Sequence, residues 1–278
     1  MRVLFLVPGD LSAQLQTLPA AAQLAEQLQA KLQVACAPAA AAAWSLLPAV
    51  ERVIPFDFDG RSSLADWANL LGSVREPDFQ LCINRAQGRQ VDLMLSMSHI
   101  PTRIATGGFS ATERVTLAEG GWGAQAWQAL LQPVGVTLSA DAFRLTLPAG
   151  ELQEAAGSLP SGSGPLLLLA PAGGPGDWPA AQWQALPAAI RRRLPDLRCQ
   201  PLSGAINRQR AAQVASADVV LASDSAAVEL ALMLGLPVVA LGRNPASLPA
   251  RQGVQAVGEA GRLEALAVEQ VLQALGFA

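Results

Sequence analysis

Three short loops hold the residues whose types and spacing could bind a ligand or transfer a proton. They cover residues 8–12, 170–176 and 223–227, and each connects an apolar run that predicts a β-strand to a segment that predicts an α-helix. Ligands of open α/β sheets bind at the carboxyl ends of the strands, where such loops lie. These loops are therefore the candidate functional sites.

The first loop contains a glycine followed by an acid. Gly9 allows the backbone to turn tightly, and the carboxylate of Asp10 could act as a general base in a cleft. Ser12 adds a hydroxyl to the same loop. The alternative is structural, because Asp10 or Ser12 could simply cap the next helix.

The second loop is rich in glycine. Ala172, Gly173 and Gly174 would let the backbone approach a phosphate or another ligand group closely. The loop lacks the Gly-Lys-Ser/Thr ending of a P-loop, and the chain has no Gly-x-Gly-x-x-Gly fingerprint, which disfavours a dinucleotide-dependent enzyme. A plain surface turn explains the loop equally well.

The third loop leads into an alanine-rich helix. The first backbone N–H groups of a helix and its dipole favour a phosphate, and the small side chains of Ser225, Ala226 and Ala227 would leave those N–H groups accessible. The alternative here is capping of the helix by Ser223 or Asp224.

The composition excludes several classes of protein. Of 278 residues, 51% are hydrophobic and 15% are charged. A net charge of −3, with no basic cluster longer than Arg191-Arg192-Arg193, argues against nucleic acid as a partner, which would need a basic face. The apolar run at 165–172 is far shorter than the ~20 residues of a membrane-spanning helix. Cys36, Cys82 and Cys199 are widely spaced, which fits a reducing, cytoplasmic compartment. With His99 as the only histidine, no metal site is expected.

The elements that must position these loops alternate between strand and helix. Strands are predicted at 3–7, 32–37, 52–56, 79–83, 103–106, 166–170, 197–202, 219–222 and 238–241. Helices are predicted at 18–30, 39–47, 64–71, 91–97, 180–194, 209–216, 226–234 and 263–275. This alternation predicts parallel, doubly wound sheets.

A stretch rich in glycine, proline and serine interrupts the alternation at 157–164, and the pattern then restarts. Such a composition is typical of a flexible connector. We therefore predict two Rossmann-like domains, residues 1–156 and residues 157–278.

At these loops the sequence resembles glycosyltransferase family 9, the ADP-heptose:lipopolysaccharide heptosyltransferases and their relatives. The resemblance rests on four segments in the family's order. They are the opening strand with Gly9-Asp10 and the helix containing Thr17-Leu18-Pro19-Ala20, residues 48–55, Trp178-Pro179 with Trp183, and residues 217–241.

The resemblance implies a GT-B fold, in which two Rossmann-like domains face each other across a cleft and a terminal helix crosses back to the first. It implies an inverting enzyme of lipopolysaccharide biosynthesis that needs neither metal nor cofactor. The donor would be an ADP-linked, heptose-like sugar, and the acceptor a cell-envelope glycan or lipid-linked glycan. Such an enzyme would be cytoplasmic, with at most peripheral contact at the inner face of the membrane.

The resemblance also implies roles for individual residues. Asp10 corresponds to the general base, and Gly9 and Ser12 lie on the acceptor side. The donor-binding residues would be Ala172, Gly173, Gly174, Asp224, Ser225, Ala226, Ala227 and Glu229.

The chain departs from the family pattern at the donor side. Ala226 replaces a glycine, Glu229 replaces a histidine, and Gly176-Asp177 stand where a basic residue precedes Trp-Pro. Fewer cations and more acids oppose the binding of a dianionic diphosphate. Either an arginine such as Arg243 or Arg208 holds the donor, or the chain is a catalytically silent GT-B protein that serves a protein partner.

Overall fold

The computed structural model describes residues 1–202 and 207–277. The chain divides into two compact units, Met1–Phe143 and Arg144–Ala278, and each unit contains its own parallel sheet. None of the helices among these residues combines the length and the apolar composition that a membrane span requires.

The first unit is built on a six-stranded sheet in the order β3-β2-β1-β4-β5-β6. Its strands are β1 (Arg2–Leu6), β2 (Lys31–Cys36), β3 (Val50–Pro55), β4 (Leu81–Asn84), β5 (Thr102–Ala105) and β6 (Glu113–Arg114), and all neighbours pair in parallel. Its helices are α1 (Leu11–Gln27), α2 (Leu64–Arg75), α3 (Arg89–Ser96), α4 (Gly123–Ala126) and α5 (Gln128–Leu131), with 3-10 segments at Pro38–Leu46 and Gln132–Val134.

The second unit is built on a five-stranded parallel sheet in the order β11-β10-β9-β7-β8. Its strands are β7 (Leu166–Ala170), β8 (Arg198–Pro201), β9 (Val219–Ala222), β10 (Val238–Leu241) and β11 (Val254–Val257). Its helices are α6 (Ala149–Gly157), α7 (Ala180–Arg191), α8 (Arg208–Ala215), α9 (Ser225–Leu234) and α10 (Val268–Ala274), with 3-10 segments at Pro245–Ser247 and Leu263–Ala265.

The division between the units lies earlier in the chain than the predicted boundary at 156/157. The reason is α6, which packs against α8 and is joined to it by an ion pair between Glu151 and Arg208, with 3.6 Å between the two charged groups. Leu145 also donates its N–H to the carbonyl of Met233 at 2.9 Å. The glycine-rich connector is therefore a loop between α6 and β7.

The chain end forms a shorter helix than the pattern at 263–275 predicted. A 3-10 turn at Leu263–Ala265 comes first, and α10 follows at Val268–Ala274. Val271 and Leu272 are buried, and α10 packs on α7 and β11. The crossing of this terminal helix to the first unit stays a prediction.

Candidate functional site

In each unit the strand order reverses at one point, which creates the crevice where doubly wound sheets bind ligands. In the first unit this point lies between β1 and β4, where Leu6 pairs with Asn84. The loop after β1 contains Gly9 and Asp10, and the loop after β4 begins at Arg85. The topology thus places the predicted acidic loop at the edge of the sheet where ligands are expected.

Asp10 is exposed and forms the N-cap of α1. Its Oδ1 accepts a hydrogen bond from the N–H of Ala13 at 3.0 Å. A carboxylate has several lone pairs, so this one hydrogen bond leaves lone pairs of Asp10 that can take up a proton. Ser12 lies in the first turn and is buried. Asp10 is therefore the cap of α1, and Ser12 is not a cap.

Because Asp10 caps the helix, α1 begins at Leu11 rather than at residue 18, where the sequence predicted its start. Pro19 lies inside the helix. Loop 8–12 is correspondingly shorter than predicted and ends at the cap.

Gly9 adopts a backbone conformation that favours glycine, with φ of +94°. A Cβ atom at this position would lie 2.8 Å from the Cβ of Ala13, which is too close. The Gly9 N–H donates to Oδ2 of Asp59 at 2.8 Å. The acidic loop is thus held from one side by a residue that follows β3.

Gln14 holds the same loop from inside the unit, and sequence analysis did not identify it. Its side chain is fully buried. Nε2 donates to the carbonyls of Val7 at 3.1 Å and Pro8 at 3.2 Å, while Oε1 accepts from the indole Nε1 of Trp44 at 2.9 Å. A glutamine three residues into a helix gives no local signal for this role, since its partners lie in the preceding loop and 30 residues away.

We expect Gln14→Ala to destabilise the chain by about 2–4 kcal/mol, because each buried polar group left without a partner costs about 1–3 kcal/mol. The substitution removes the partner of the Trp44 indole and of the Val7 carbonyl. Unfolding in urea measures the effect. Gln90→Ala, at an exposed position of α3, is the matched control and should change the free energy of unfolding by less than about 0.5 kcal/mol. Equal stability of the two variants would contradict the role of Gln14.

In the second unit the strand order reverses between β7 and β9, where Ala170 pairs with Ala222. The N–H groups of Ser223 and Asp224 both donate to the carbonyl of Ala170 at 3.1 Å. Across the same gap the N–H of Ala172 donates to Oγ of Ser223 at 2.8 Å. The second and third predicted loops, far apart in sequence, therefore form one site.

The glycine-rich loop is folded around Asp177. The two carboxylate oxygens of Asp177 accept hydrogen bonds from Gly173 N–H at 2.8 Å and from Trp178 N–H at 2.7 Å. Gly173 and Gly176 both have positive φ, +71° and +79°. The acid that departs from the family pattern is thus used to shape its own loop.

Beside this loop lies an open cavity of about 460 Å³. It is lined by Pro171, Gly173, Gly174, Asp177, Trp178, Pro179, Ala180, Trp183 and Gln184. The rings of Trp178 and Trp183 meet edge to face, 5.2 Å apart, and both residues belong to the apolar core under the loop. The two tryptophans support the loop by packing.

Helix α9 presents an N-terminus suited to an anion. Asp224 is the N-cap, and its Oδ1 accepts from the N–H of Ala227 at 2.7 Å. Within the described residues, no acceptor meets the N–H groups of Ser225 and Ala226. Arg210 lies 4.0 Å from Asp224, and burial lowers the pKa of its guanidinium below the ordinary value, an effect that Asp224 opposes. The cap and the phosphate-binding roles are thus compatible, because they use different N–H groups.

Glu229 does not present a free negative charge to this site. Its side chain is fully buried and forms an ion pair with the guanidinium of Arg243, which follows β10 and is about a quarter exposed. A carboxylate without a partner in the core would be costly, and Arg243 compensates for it. Arg208, the other arginine considered, pairs instead with Glu151.

Known protein structures resemble this chain over its whole length. Neither protein-family models nor curated proteins give a match. The structure of a glycosyl transferase family 9 protein from Veillonella parvula is 14% identical, covers 99% of this chain and 96% of its own, and has a TM-score of 0.78. The E. coli ADP-heptose lps heptosyltransferase II is 19% identical, with coverage of 99% and 98% and a TM-score of 0.77. E. coli heptosyltransferase WaaC, with ADP-2-deoxy-2-fluoro heptose, is 16% identical, with coverage of 99% of both chains and a TM-score of 0.74. The predicted GT-B fold is confirmed.

Proposed function

We propose that this chain is a glycosyltransferase that moves a sugar from a nucleotide-sugar to a hydroxyl of a cell-envelope glycan or lipid-linked acceptor. One observation carries the proposal: the glycine-rich loop and the N-terminus of α9 meet at the switch point of the second sheet, where the N–H groups of Ser225 and Ala226 have no acceptor among the described residues. The solved structures support it, because WaaC was solved with an ADP-linked heptose analogue. An ADP-linked, heptose-like donor is the first substrate to test.

On the donor side, the leaving group is a nucleoside diphosphate. The N–H groups of Ser225 and Ala226, together with the positive end of the helix dipole, would stabilise its developing charge. The ion pair with Arg243 means that Glu229 adds no net negative charge near this helix.

On the acceptor side, Asp10 would be the general base. The acceptor oxygen attacks the anomeric carbon of the donor sugar and gives its proton to the Asp10 carboxylate. The bond between that carbon and the diphosphate oxygen breaks, and the nucleoside diphosphate leaves with the electron pair. The configuration at the anomeric carbon inverts in this single displacement, and no metal is required by the step.

A second candidate is a catalytically silent GT-B protein that binds a protein partner. The observations that favour it are the replacements at Ala226, Glu229 and Gly176-Asp177. Both candidates place the chain in the cytoplasm, and the transferase would contact the membrane surface only peripherally, where its acceptor is lipid-linked.

Binding of ADP and UDP, and of sugars linked to them, separates the two candidates. Calorimetry on the full chain should detect binding of an ADP-linked or UDP-linked sugar if the chain is a transferase. We expect Ser225→Asp to weaken nucleotide affinity by about 10-fold or more, since it places a carboxylate at the first helical position, beside the diphosphate. The same acid suits the helix dipole, so the melting temperature should not fall.

Ser225→Asn is the matched control, because it has the shape of aspartate without the charge. It should bind nucleotides within about threefold of the unmodified chain. If neither nucleotide binds the unmodified chain, or if Ser225→Asp binds as well as Ser225→Asn, the donor site proposed at α9 is wrong.

A further inference from the structure

One arginine of the first unit is partly buried without a counter-charge. Arg85 comes directly after β4, beside the point where the strand order reverses. Its guanidinium carbon lies 5.4 Å from the centre of the Trp127 ring. In the part of the chain that the structure describes, the Arg85 guanidinium has neither an ion pair nor a hydrogen bond.

This arrangement is energetically unfavourable for the chain alone. Burial lowers the pKa of the Arg85 guanidinium below its ordinary value, because removal of a cation from water disfavours the charged form. Contact with an aromatic face offsets part of this cost, and the five N–H donors of the guanidinium have no acceptor among the described residues. An anion that bound here would supply what the protein does not.

The space beside Arg85 is large enough for such a group. An open cavity of about 290 Å³ is lined by Arg85, Gln87, Thr106, Val115, Thr116 and Leu117. None of these lining residues is acidic, and Gln87, Thr106 and Thr116 carry polar groups that can hydrogen-bond to a ligand.

A neighbouring cavity of about 310 Å³ shares Gln87 and Thr106 with this one and reaches Gly107 and Gly108. Asp92 also lines it, but Oδ1 of Asp92 is buried and accepts hydrogen bonds from Oγ of Ser110 at 2.6 Å and from its N–H at 3.3 Å. This acid is thus engaged with Ser110, and Arg85 is the charged group that faces the first cavity.

We propose that the cavity at Arg85 binds a carboxylate or phosphate group of the sugar acceptor. Arginine recognises both groups through two parallel hydrogen bonds. That the ligand is the acceptor rests on the proposed function, whereas the existence of an anion site at Arg85 does not. The inference adds a substrate property, since it selects acceptors with an acidic group over neutral ones.

The test compares three sugars that differ in charge: glucose 6-phosphate, glucuronate and glucose. Binding to the full chain is measured by calorimetry or ligand-observed NMR, and binding of ADP and UDP is measured on the same samples. We expect at least one charged sugar to bind about 10- to 100-fold more tightly than glucose, the effect of charge-assisted hydrogen bonds. The charged sugar that binds more tightly shows whether the site prefers a phosphate or a carboxylate.

Arg85→Gln should remove the preference for the charged sugar, and Arg85→Lys, which keeps the charge but not the paired geometry, should retain part of it. Arg89→Gln, an exposed arginine at the start of α3, is the matched control and should leave the preference unchanged. A melting curve for each variant establishes that it is folded. Should Arg85→Gln fail to fold, Arg85→Lys and Arg89→Gln still decide the matter.

Three results would overturn the proposal: equal affinity for charged and neutral sugars, no binding of any of the three, or a preference that is undiminished in Arg85→Gln or, if that variant does not fold, in Arg85→Lys. If the charged sugars bind and neither ADP nor UDP does, the anion site stands and the proposed donor site is wrong. If ADP binds and the charged sugars do not, this inference is wrong and the proposed donor site stands.

Discussion

Replacement of Asp10 by asparagine is expected to slow sugar transfer by about 10²–10⁴-fold, the usual cost of losing a positioned general base. Asparagine is as good an N-cap as aspartate, so the hydrogen bond from Ala13 to residue 10 and the start of α1 should persist. Nucleotide affinity should change by less than about twofold, because the proposed donor residues belong to the second unit. The measurements are initial rates of donor consumption, nucleotide calorimetry and a melting curve.

Asp59→Asn is the matched control for this experiment. Asp59 is exposed and bonds to the N–H of Gly9, next to Asp10, and an asparagine oxygen can accept the same bond. The rate of sugar transfer by Asp59→Asn should stay within about threefold of that of the unmodified chain. If Asp10→Asn is as active as Asp59→Asn, Asp10 is not the base. If the unmodified chain turns over no nucleotide-sugar at all, the silent GT-B candidate is favoured.

The second large effect concerns the ion pair between Glu229 and Arg243. We expect Arg243→Met to lower the free energy of unfolding by about 3–5 kcal/mol, the cost of breaking a buried pair and leaving one charge behind. Glu229 is fully buried and cannot reach water. Glu229→Gln should lower the free energy of unfolding clearly less than Arg243→Met does. Arg243 is about a quarter exposed, so its guanidinium can turn towards solvent.

The double variant should be more stable than the sum of the two single changes predicts, which is the mark of a direct interaction. Arg262→Met, from the exposed pair with Glu259, should cost less than about 1 kcal/mol and is the control. Urea unfolding of all four proteins measures the cycle. Additive effects, or an Arg243→Met variant as stable as Arg262→Met, would contradict the buried pair.

The pair also changes what is expected of Glu229→His, which restores the residue of the family pattern. Histidine would leave Arg243 without its carboxylate partner, so this single change should destabilise the chain and should not improve nucleotide binding. Recovery would require a simultaneous change at Arg243. The replacement at position 229 is therefore understood together with its partner, 14 residues later.

Much of the architecture followed from the sequence by itself. Apolar runs such as 166–170 and 219–222 predicted buried parallel strands, because a strand buried on both faces needs a nearly continuous run of apolar residues. Such a run is visible in the local sequence. The three candidate loops followed from the same alternation, and the residue types of Gly9 and Asp10 indicated a tight turn and a possible base. Elements with weak apolar patterns were missed, among them β6, two exposed residues long, and β11, which is half exposed.

Only the tertiary structure decided which of these residues act together. Strand order brings β7 beside β9 and so joins two loops about 50 residues apart, and no local pattern encodes that order. The buried partners of Gln14 and Glu229, and the absence of one for Arg85 among the described residues, depend on the same long-range packing. A sequence pattern reports whether a residue prefers water or the core, whereas the partner of a buried polar group is set by what the fold places within hydrogen-bonding distance.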